Sequence, residues 1–187
     1  MAIRVYIDQG HNPVNPNAGA EGNGYREQDI TYKIGKELFT FLQNDRSFEA
    51  RLSRPDPAVV LGVSNADSLR RRVEEAESFA ADLFLSLHTN ASSLPAATGS
   101  EALVFSRKGT SAAIASVLLR YMTEATGLPN RGVKARPGLY VLRRTSMPAV
   151  LMEMGFITNA GDAALMAESP QLFARGLYNG LRKYYGV

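Results

Sequence analysis

Cysteine and tryptophan are both absent from this chain of 187 residues. Without cysteine, the chain can form no disulfide, thiolate nucleophile, iron–sulfur cluster or thiolate zinc site. No apolar run approaches the roughly 18 residues that a membrane-spanning helix requires. The longest apolar stretches, around residues 83–87 and 149–152, have the length of a strand. Thiol chemistry and a membrane span within this sequence are therefore excluded.

The charge balance is only mildly basic. Lysine and arginine number 21 against 18 aspartate and glutamate residues, which gives a net charge of +3. A nucleic-acid-binding domain usually clusters more basic residues, so no nucleic-acid partner is expected. A mild excess is compatible with an anionic polymer or an anionic substrate. The length and the hydrophobic content of 45% suit a single globular domain spanning residues 1–187.

Hydrophobic periodicity predicts an alternation of strands and helices. Strands are predicted at residues 3–7, 48–52, 83–87, 99–106, 139–142 and 149–153. Helices are predicted from Asp29 to about Asn44, from Ser64 or Asn65 to about 80, over 111–125, and from Pro170 onward. This order favours an α/β fold, a single domain with a twisted, mostly parallel sheet and helices on both faces. A long Asn-, Pro- and Gly-rich loop at residues 12–24 interrupts the pattern, and such loops are usually functional.

The only two histidines each follow a predicted strand. His11 comes after residues 3–7, and His88 comes directly after residues 83–87. In an open α/β sheet the carboxyl ends of the strands form the ligand-binding edge, so the two imidazoles can meet there. Two unrelated surface histidines would give the same spacing. Spacing alone leaves both interpretations open.

Two glutamates are candidates to complete a metal or catalytic site. A catalytic zinc site needs three protein ligands and one open position. Glu27 ends the long loop just before a predicted helix, where a solvated carboxylate is also favoured by the helix dipole. Glu153 ends an apolar strand, and a carboxylate there is costly unless it is paired or bound.

Together these residues form a four-part pattern. The chain reads Asp8-x-Gly10-His11, then Glu27, then Ser86-Leu87-His88-Thr89-Asn90, then the segment 148–159 around Glu153. This pattern resembles the zinc-dependent N-acetylmuramoyl-L-alanine amidases of type 3, which cut bacterial peptidoglycan. The resemblance covers nearly the whole chain. The stretches Leu52-Ser53-Arg54, Leu69-x-x-Arg72 and Gly99-Ser100-Glu101 also fall where that family has similar residues.

The resemblance implies that His11, Glu27 and His88 hold one zinc ion and that Glu153 is the catalytic carboxylate. It implies hydrolysis of the amide between N-acetylmuramic acid and L-alanine, with the glycan strand and stem peptide of peptidoglycan as partners. Such an enzyme would be exported to the cell envelope or beyond, although no signal peptide is visible. The predicted elements leave no spare helix between His88 and Glu153 to cover the site, so a protein activator or targeting module is an expected partner.

Three features admit more than one interpretation. Asn12-Pro13 stands where the family usually has two glycines, so the shape of the loop after His11 is open. Asp8 is either a hydrogen-bond acceptor that fixes the His11 tautomer or a strand-end turn residue. Five basic residues between 131 and 144 form either a groove edge for substrate carboxylates or, as we favour, a solvated surface; they are Arg131, Lys134, Arg136, Arg143 and Arg144.

Other function classes are less well supported. A zinc carboxypeptidase-like enzyme would use the same ligand types, but the close His-x-x-Glu spacing expected there is absent. A non-catalytic wall-binding module would be expected to have lost a ligand or Glu153, and all four residues are present. A nucleic-acid-binding domain is the weakest alternative, because no recognised motif appears.

Overall fold

A computed structural model describes residues 2–187, in which strands and helices alternate along the chain. The strands are β1 (Ile3–Gln9), β2 (Glu21–Gly22), β3 (Tyr25–Arg26), β4 (Phe48–Leu52), β5 (Leu83–Asn90), β6 (Ser100–Val104), β7 (Asn130–Ala135) and β8 (Ala149–Phe156). The helices are α1 (Glu27–Gln43), α2 (Asn65–Ser78), α3 (Thr110–Thr126), α4 (Tyr140–Arg144), α5 (Ala160–Glu168) and α6 (Pro170–Tyr185).

Six of the strands form one sheet in the order β4-β1-β5-β8-β6-β7. Every neighbouring pair is parallel except β6 and β8, which run antiparallel. The short strands β2 and β3 form a separate hairpin within the loop that precedes α1. The predicted α/β fold with a mostly parallel sheet is therefore confirmed.

Each face of the sheet carries its own hydrophobic core. One core joins α1, α3, α5 and α6 to the odd-numbered positions of β1 and β5, such as Val5 and Leu85. The other joins α2 and α4 to the even-numbered positions, such as Tyr6 and Phe84. Successive side chains in a strand point to opposite faces, so residue parity decides which core a strand residue enters.

The same parity gathers polar side chains at one place. Asp8, Ser86 and His88 continue the even-numbered positions that face α2 and α4. Glu153 continues the positions of Ala149 and Leu151 on β8, and it lies opposite His88 in the β5–β8 register. Asp8, His88 and Glu153 lie in the carboxyl-terminal halves of β1, β5 and β8, toward the edge where an α/β sheet binds its ligands.

Several predicted elements need correction. Residues 139–142 are not a strand, because Tyr140–Arg144 is the short helix α4, whose Val141 and Leu142 pack into the α2-side core. Four elements were not predicted: β7, α5 and the two-residue strands β2 and β3, of which β2 lies inside the predicted loop 12–24. β7 has the sequence NRGVKA, which shows no clean alternation, as suits a charged edge strand. Helix α5 is capped by the side chain of Asn159, which accepts from the amides of Gly161 and Asp162.

Element boundaries also differ in ways that affect the site. Helix α1 begins at Glu27 rather than after Asp29, which instead pairs with Arg26 in the first turn. Strand β5 continues past Leu87 to Asn90, so His88 is a strand residue. Other predicted ends are confirmed: Ser64 caps α2 by accepting from the amide of Asp67, and Gly127 ends α3 in the left-handed conformation.

Among residues 2–187, no helix combines the length and the apolar character that crossing a bilayer would take.

Close contact between α3 and α6 depends on glycine. A Cβ atom at Gly176 would lie 2.6 Å from the Met122 Cα. We expect Gly176→Ala to lower the free energy of unfolding by about 1–3 kcal/mol through overpacking, despite the better helix propensity of alanine. Chemical denaturation measures this. The control is Gly161→Ala in α5, where the nearest atom is 3.4 Å away and no loss is expected. Equal effects of the two substitutions would contradict the packing argument.

Candidate metal centre

The Glu27 carboxylate is the centre of the site. Glu27 is the first residue of α1, and its side chain is only 4% exposed. Its Oε1 accepts from the amide of Thr89 at 2.9 Å and lies 3.0 Å from His88 Nδ1. Its Oε2 accepts from the amide of Ala20 at 3.0 Å and lies 3.2 Å from His11 Nε2. Both carboxylate oxygens are therefore fixed between a backbone donor and a histidine.

His11 lies just beyond the end of β1 in an unusual backbone conformation. Its φ angle is +69°, in the left-handed region that non-glycine residues seldom adopt. Its Nδ1 is buried and has no hydrogen-bond partner among the described residues. Backbone strain of this kind is held in place only when the surrounding contacts determine it.

Glycines allow the chain to pack tightly around the two imidazoles. A Cβ at Gly10 would lie 2.6 Å from His88 Cε1. A Cβ at Gly19, in the loop that follows His11, would lie 2.9 Å from both Glu27 Oε2 and His11 Cδ2. Any larger residue at these two positions would push the loop or the rings apart.

The structure brings His11, Glu27 and His88 together. Each offers one ligand atom, and the three atoms lie within 4.8 Å of one another. The rings of His11 and His88 meet edge to face with their centroids 4.9 Å apart. Two nitrogen donors and one carboxylate match the donor set of two histidines and one glutamate found in catalytic zinc sites. The arrangement fits a divalent metal such as zinc.

The contacts between Glu27 and the two histidines shift the pKa values of Glu27 and His88. Burial acts to raise the pKa of Glu27, but the hydrogen bonds from His11 and His88 outweigh it and hold that pKa well below its ordinary value. Burial acts to lower the pKa of His88, but the neighbouring Glu27 carboxylate raises it overall. Without a metal the carboxylate is therefore ionised, and its negative charge attracts positive charge into the cluster.

Glu153 lies next to His88 in the sheet, but its carboxylate has no hydrogen-bond partner among the described residues. Its Oε2 is buried and makes no hydrogen bond within residues 2–187. Burial raises the pKa of Glu153 to about 7; the positive charge of His88 opposes this shift, whereas the charges of Glu27 and Glu101 add to it. A carboxyl group with a pKa near neutrality can both accept and return a proton at physiological pH.

Glu101 is the neighbour of Glu153 on the other side, and sequence reasoning gave it no role. The two residues are direct partners in the β6–β8 register. Glu101 is paired with Lys134 and, at 3.4 Å, with Arg131. Two of the five basic residues are thus used in ion pairs, whereas Arg143 and Arg144 are exposed on α4. Parity along β6 could have placed Glu101 on the same face of the sheet as Glu153, because Leu103 packs into the core on the α2 side.

Asp8 makes no hydrogen bond to His11 and lies within β1 rather than in a turn, so neither interpretation made for it is right. Its carboxylate is buried, accepts from Arg72 Nη1 at 2.5 Å and from the Ser86 hydroxyl at 2.6 Å. Burial acts to raise the pKa of Asp8, but Arg72 and Ser86 keep it below its ordinary value. Asp8 serves as the counter-charge of a buried arginine, which is the function that the sequence did not reveal.

A cavity of about 220 Å³ opens beside the two histidines. The side chains of His11 and His88 remain 21% and 20% exposed, so solvent reaches both imidazoles. Leu139 and Tyr140 line one wall of the cavity, where α4 begins. The segment that was expected to be a strand therefore supplies a short helix at the edge of the site.

Asn12 shapes the loop that follows His11. Its side-chain amide donates to the carbonyl oxygens of Pro16 and Leu61, at 2.7 and 2.9 Å. Its side-chain oxygen accepts from the amide of Leu61 at 3.0 Å. Since Asn12 is fully buried, these bonds join the loop after β1 to the loop that precedes α2. The residue in place of the first family glycine thus makes contacts that glycine cannot make.

Comparison with known proteins identifies relatives along the whole chain. The family model described as N-acetylmuramoyl-L-alanine amidase matches residues 5–183. The sporulation-specific N-acetylmuramoyl-L-alanine amidase of Bacillus subtilis is 33% identical, over 99% of this chain and 69% of the relative. The amidase LytC of the same organism is also 33% identical, but this chain spans only 35% of its length.

Two solved structures that resemble this chain are also N-acetylmuramoyl-L-alanine amidases. The catalytic domain of CwlV, an N-acetylmuramoyl-L-alanine amidase from Bacillus (Paenibacillus) polymyxa, superposes with a TM-score of 0.86 at 30% identity, covering 99% of both chains. An N-acetylmuramoyl-L-alanine amidase from Clostridium difficile gives a TM-score of 0.88 at 26% identity, with 99% of this chain and 97% of that chain covered. The resemblance noted in the sequence is thereby confirmed: this chain belongs to the N-acetylmuramoyl-L-alanine amidase family.

Proposed function

We propose that this chain hydrolyses the amide bond between N-acetylmuramic acid and the L-alanine of the stem peptide in bacterial peptidoglycan. One observation carries the proposal: in a chain of this family, a buried cluster of two histidines and one glutamate lies beside a second, unpaired glutamate at the ligand-binding edge of the sheet. The products would be a glycan strand with a free lactyl carboxyl group and a stem peptide with a free L-alanine amine.

His11, Glu27 and His88 would hold one zinc ion. Zinc bound there would supply a Lewis acid that polarises the scissile carbonyl and acidifies water. The backbone amides of Ala20 and Thr89 keep the Glu27 carboxylate in place, so the donor set is held before any metal arrives. Such preorganisation limits the conformational cost of binding.

Glu153 would move the proton during the reaction. Its unpaired Oε2 accepts a proton from the attacking water and later gives it to the departing amine nitrogen of L-alanine. Water adds to the carbonyl carbon, the carbon–nitrogen bond breaks, and the proton passes through one carboxyl group. A carboxyl group suits this double role, because the group must bind the proton and release it within one turnover.

The remaining proposals concern the cellular context. The whole chain, residues 1–187, would act as the zinc amidase catalytic domain, working as an exported enzyme in the cell envelope or outside the cell. The partly exposed histidines support access by a large polymer. Selection of the site of action on the wall would come from a targeting module or a protein activator.

We expect Glu153→Gln to lower the rate of peptidoglycan cleavage by about 10²–10⁴-fold, because the amide cannot accept the proton from water. Mass spectrometry of digests measures both the rate and the bond cleaved. The wild type should release stem peptides with a free L-alanine amine. Glu124→Gln is the control, since Glu124 is exposed on α3 and outside the site.

Two results would contradict this assignment. Cleavage inside the stem peptide would identify a peptidase of the carboxypeptidase-like kind. Undiminished amidase activity in Glu153→Gln would show that another group moves the proton.

Removal of the metal is expected to abolish activity reversibly. A strong chelator should inactivate the protein, and one equivalent of zinc should restore the activity. Magnesium should not restore it, because that ion prefers an all-oxygen environment to imidazole. Titration with elemental analysis measures the stoichiometry, for which His88→Ala should give less than one ion per chain. Full activity in the chelated protein would refute a metal-dependent reaction.

Glu153 should also destabilise the metal-free protein at high pH. The folded state raises the pKa of Glu153 from 4.5 to about 7, so folding is opposed once the carboxyl group must ionise. We expect Glu153→Gln to stabilise the metal-free protein by on the order of 1–3 kcal/mol at pH 8. The gain should vanish near pH 4.5, where the folded carboxyl group is already neutral. Denaturation at both pH values measures this, and a gain independent of pH would argue against a buried, ionised carboxylate.

A further inference from the structure

Arg72 is a buried arginine that faces the end of β1. It lies on α2 with 1% of its surface exposed. Its Nη1 donates to Asp8 Oδ1 at 2.5 Å and to the Gln9 carbonyl oxygen at 2.7 Å. Its Nη2 donates to the His11 carbonyl oxygen at 2.8 Å and to Asn12 Oδ1 at 3.3 Å. One guanidinium group therefore binds four acceptors within the segment 8–12.

The conformation of His11 requires such a restraint. Its left-handed backbone, with φ of +69°, is unfavourable for a residue with a Cβ atom. The backbone at the preceding Gly10 is packed closely against β5, because a Cβ atom there would lie 2.5 Å from the Leu87 carbonyl oxygen. The bond from Arg72 to the His11 carbonyl oxygen falls at the residue that carries this strain.

We propose that Arg72 is a positioning residue for the candidate metal centre, which holds the His11 backbone in the left-handed conformation that directs its imidazole toward Glu27 and His88. The inference rests on the proposed zinc site. Arg72 does not contact Glu27 or His88 through any hydrogen bond, so it acts on the site through His11.

The chemistry of arginine suits this task. A guanidinium is a planar fork whose two terminal nitrogens can bind separate acceptors in fixed directions. Here Nη1 bonds to Asp8 and Gln9, and Nη2 bonds to His11 and Asn12. A lysine ammonium at this position can neutralise Asp8 but cannot hold both groups of acceptors in the same geometry. The Ser86 hydroxyl fixes the other Asp8 oxygen, so the counter-charge is itself held in place.

Arg72→Lys separates positioning from simple core stability. The full chain is purified as wild type, Arg72→Lys and Leu181→Ala, and each is stripped of metal. Leu181 is a fully buried residue of α6 in the core on the opposite face of the sheet, so its truncation destabilises the fold without touching the site. Zinc affinity is measured by competition with a chromogenic chelator, and the thermal midpoint of each metal-free protein is recorded.

Arg72→Lys should bind zinc about 10–100-fold more weakly than the wild type, as is typical when a group that orients a metal ligand is removed. Leu181→Ala should keep the zinc affinity of the wild type, even if its thermal midpoint falls by as much as that of Arg72→Lys. The His11 13Cα chemical shift of the metal-free protein gives a second readout, which should move away from its left-handed value only in Arg72→Lys.

Wild-type zinc affinity and an unchanged His11 shift in folded Arg72→Lys would overturn the proposal while leaving the metal site intact. Failure of the wild type to bind zinc would overturn both. If Arg72→Lys does not fold, the double variant Asp8→Asn with Arg72→Met removes the two charges together. The same weakening of zinc binding is then expected, and wild-type affinity in that variant would count against the proposal.

Discussion

A single buried carboxylate, that of Glu27, holds the two histidines of this protein together. Its position at the first residue of α1 places it in the positive field of the helix N-terminus, and two backbone amides fix its oxygens. Its negative charge offsets the desolvation of His88, which burial alone would keep neutral. The loop after β1, the end of β5 and the start of α1 therefore meet at one negative charge, which a metal cation bound there would balance.

Much of this arrangement could be predicted from the sequence, because ligands of an open α/β sheet bind at the carboxyl ends of its strands. The apolar run 83–87 predicts a buried strand, and His88 directly follows it, at the carboxyl end where an α/β sheet binds its ligands. Glu153 is predicted to be functional on a related ground. It follows the apolar residues 149–152, and burying a carboxylate there costs free energy unless the group is paired or bound. Family resemblance, rather than spacing, singled out Glu27, which a solvated helix start would explain equally well.

The remaining features depend on tertiary contacts that a local pattern does not contain. Residues 139–142 have strand-like composition, yet they form a helix because Val141 and Leu142 fill the core beneath α2. Strand β7 lies at the edge of the sheet, where charged residues replace the alternation that marks a buried strand. Asp8 and Arg72 are 64 positions apart, so their ion pair is visible only once β1 and α2 are packed together.

Anomalous diffraction at the zinc absorption edge, from crystals of the protein loaded with one equivalent of zinc, tests the account most directly. We predict one strong peak within bonding distance of His11, Glu27 and His88, with the Glu153 carboxylate close by but not bonded to the ion. A peak that excludes Glu27, a peak bonded to Glu153, or zinc held only at surface residues would contradict the proposed division between metal ligands and proton-transfer group.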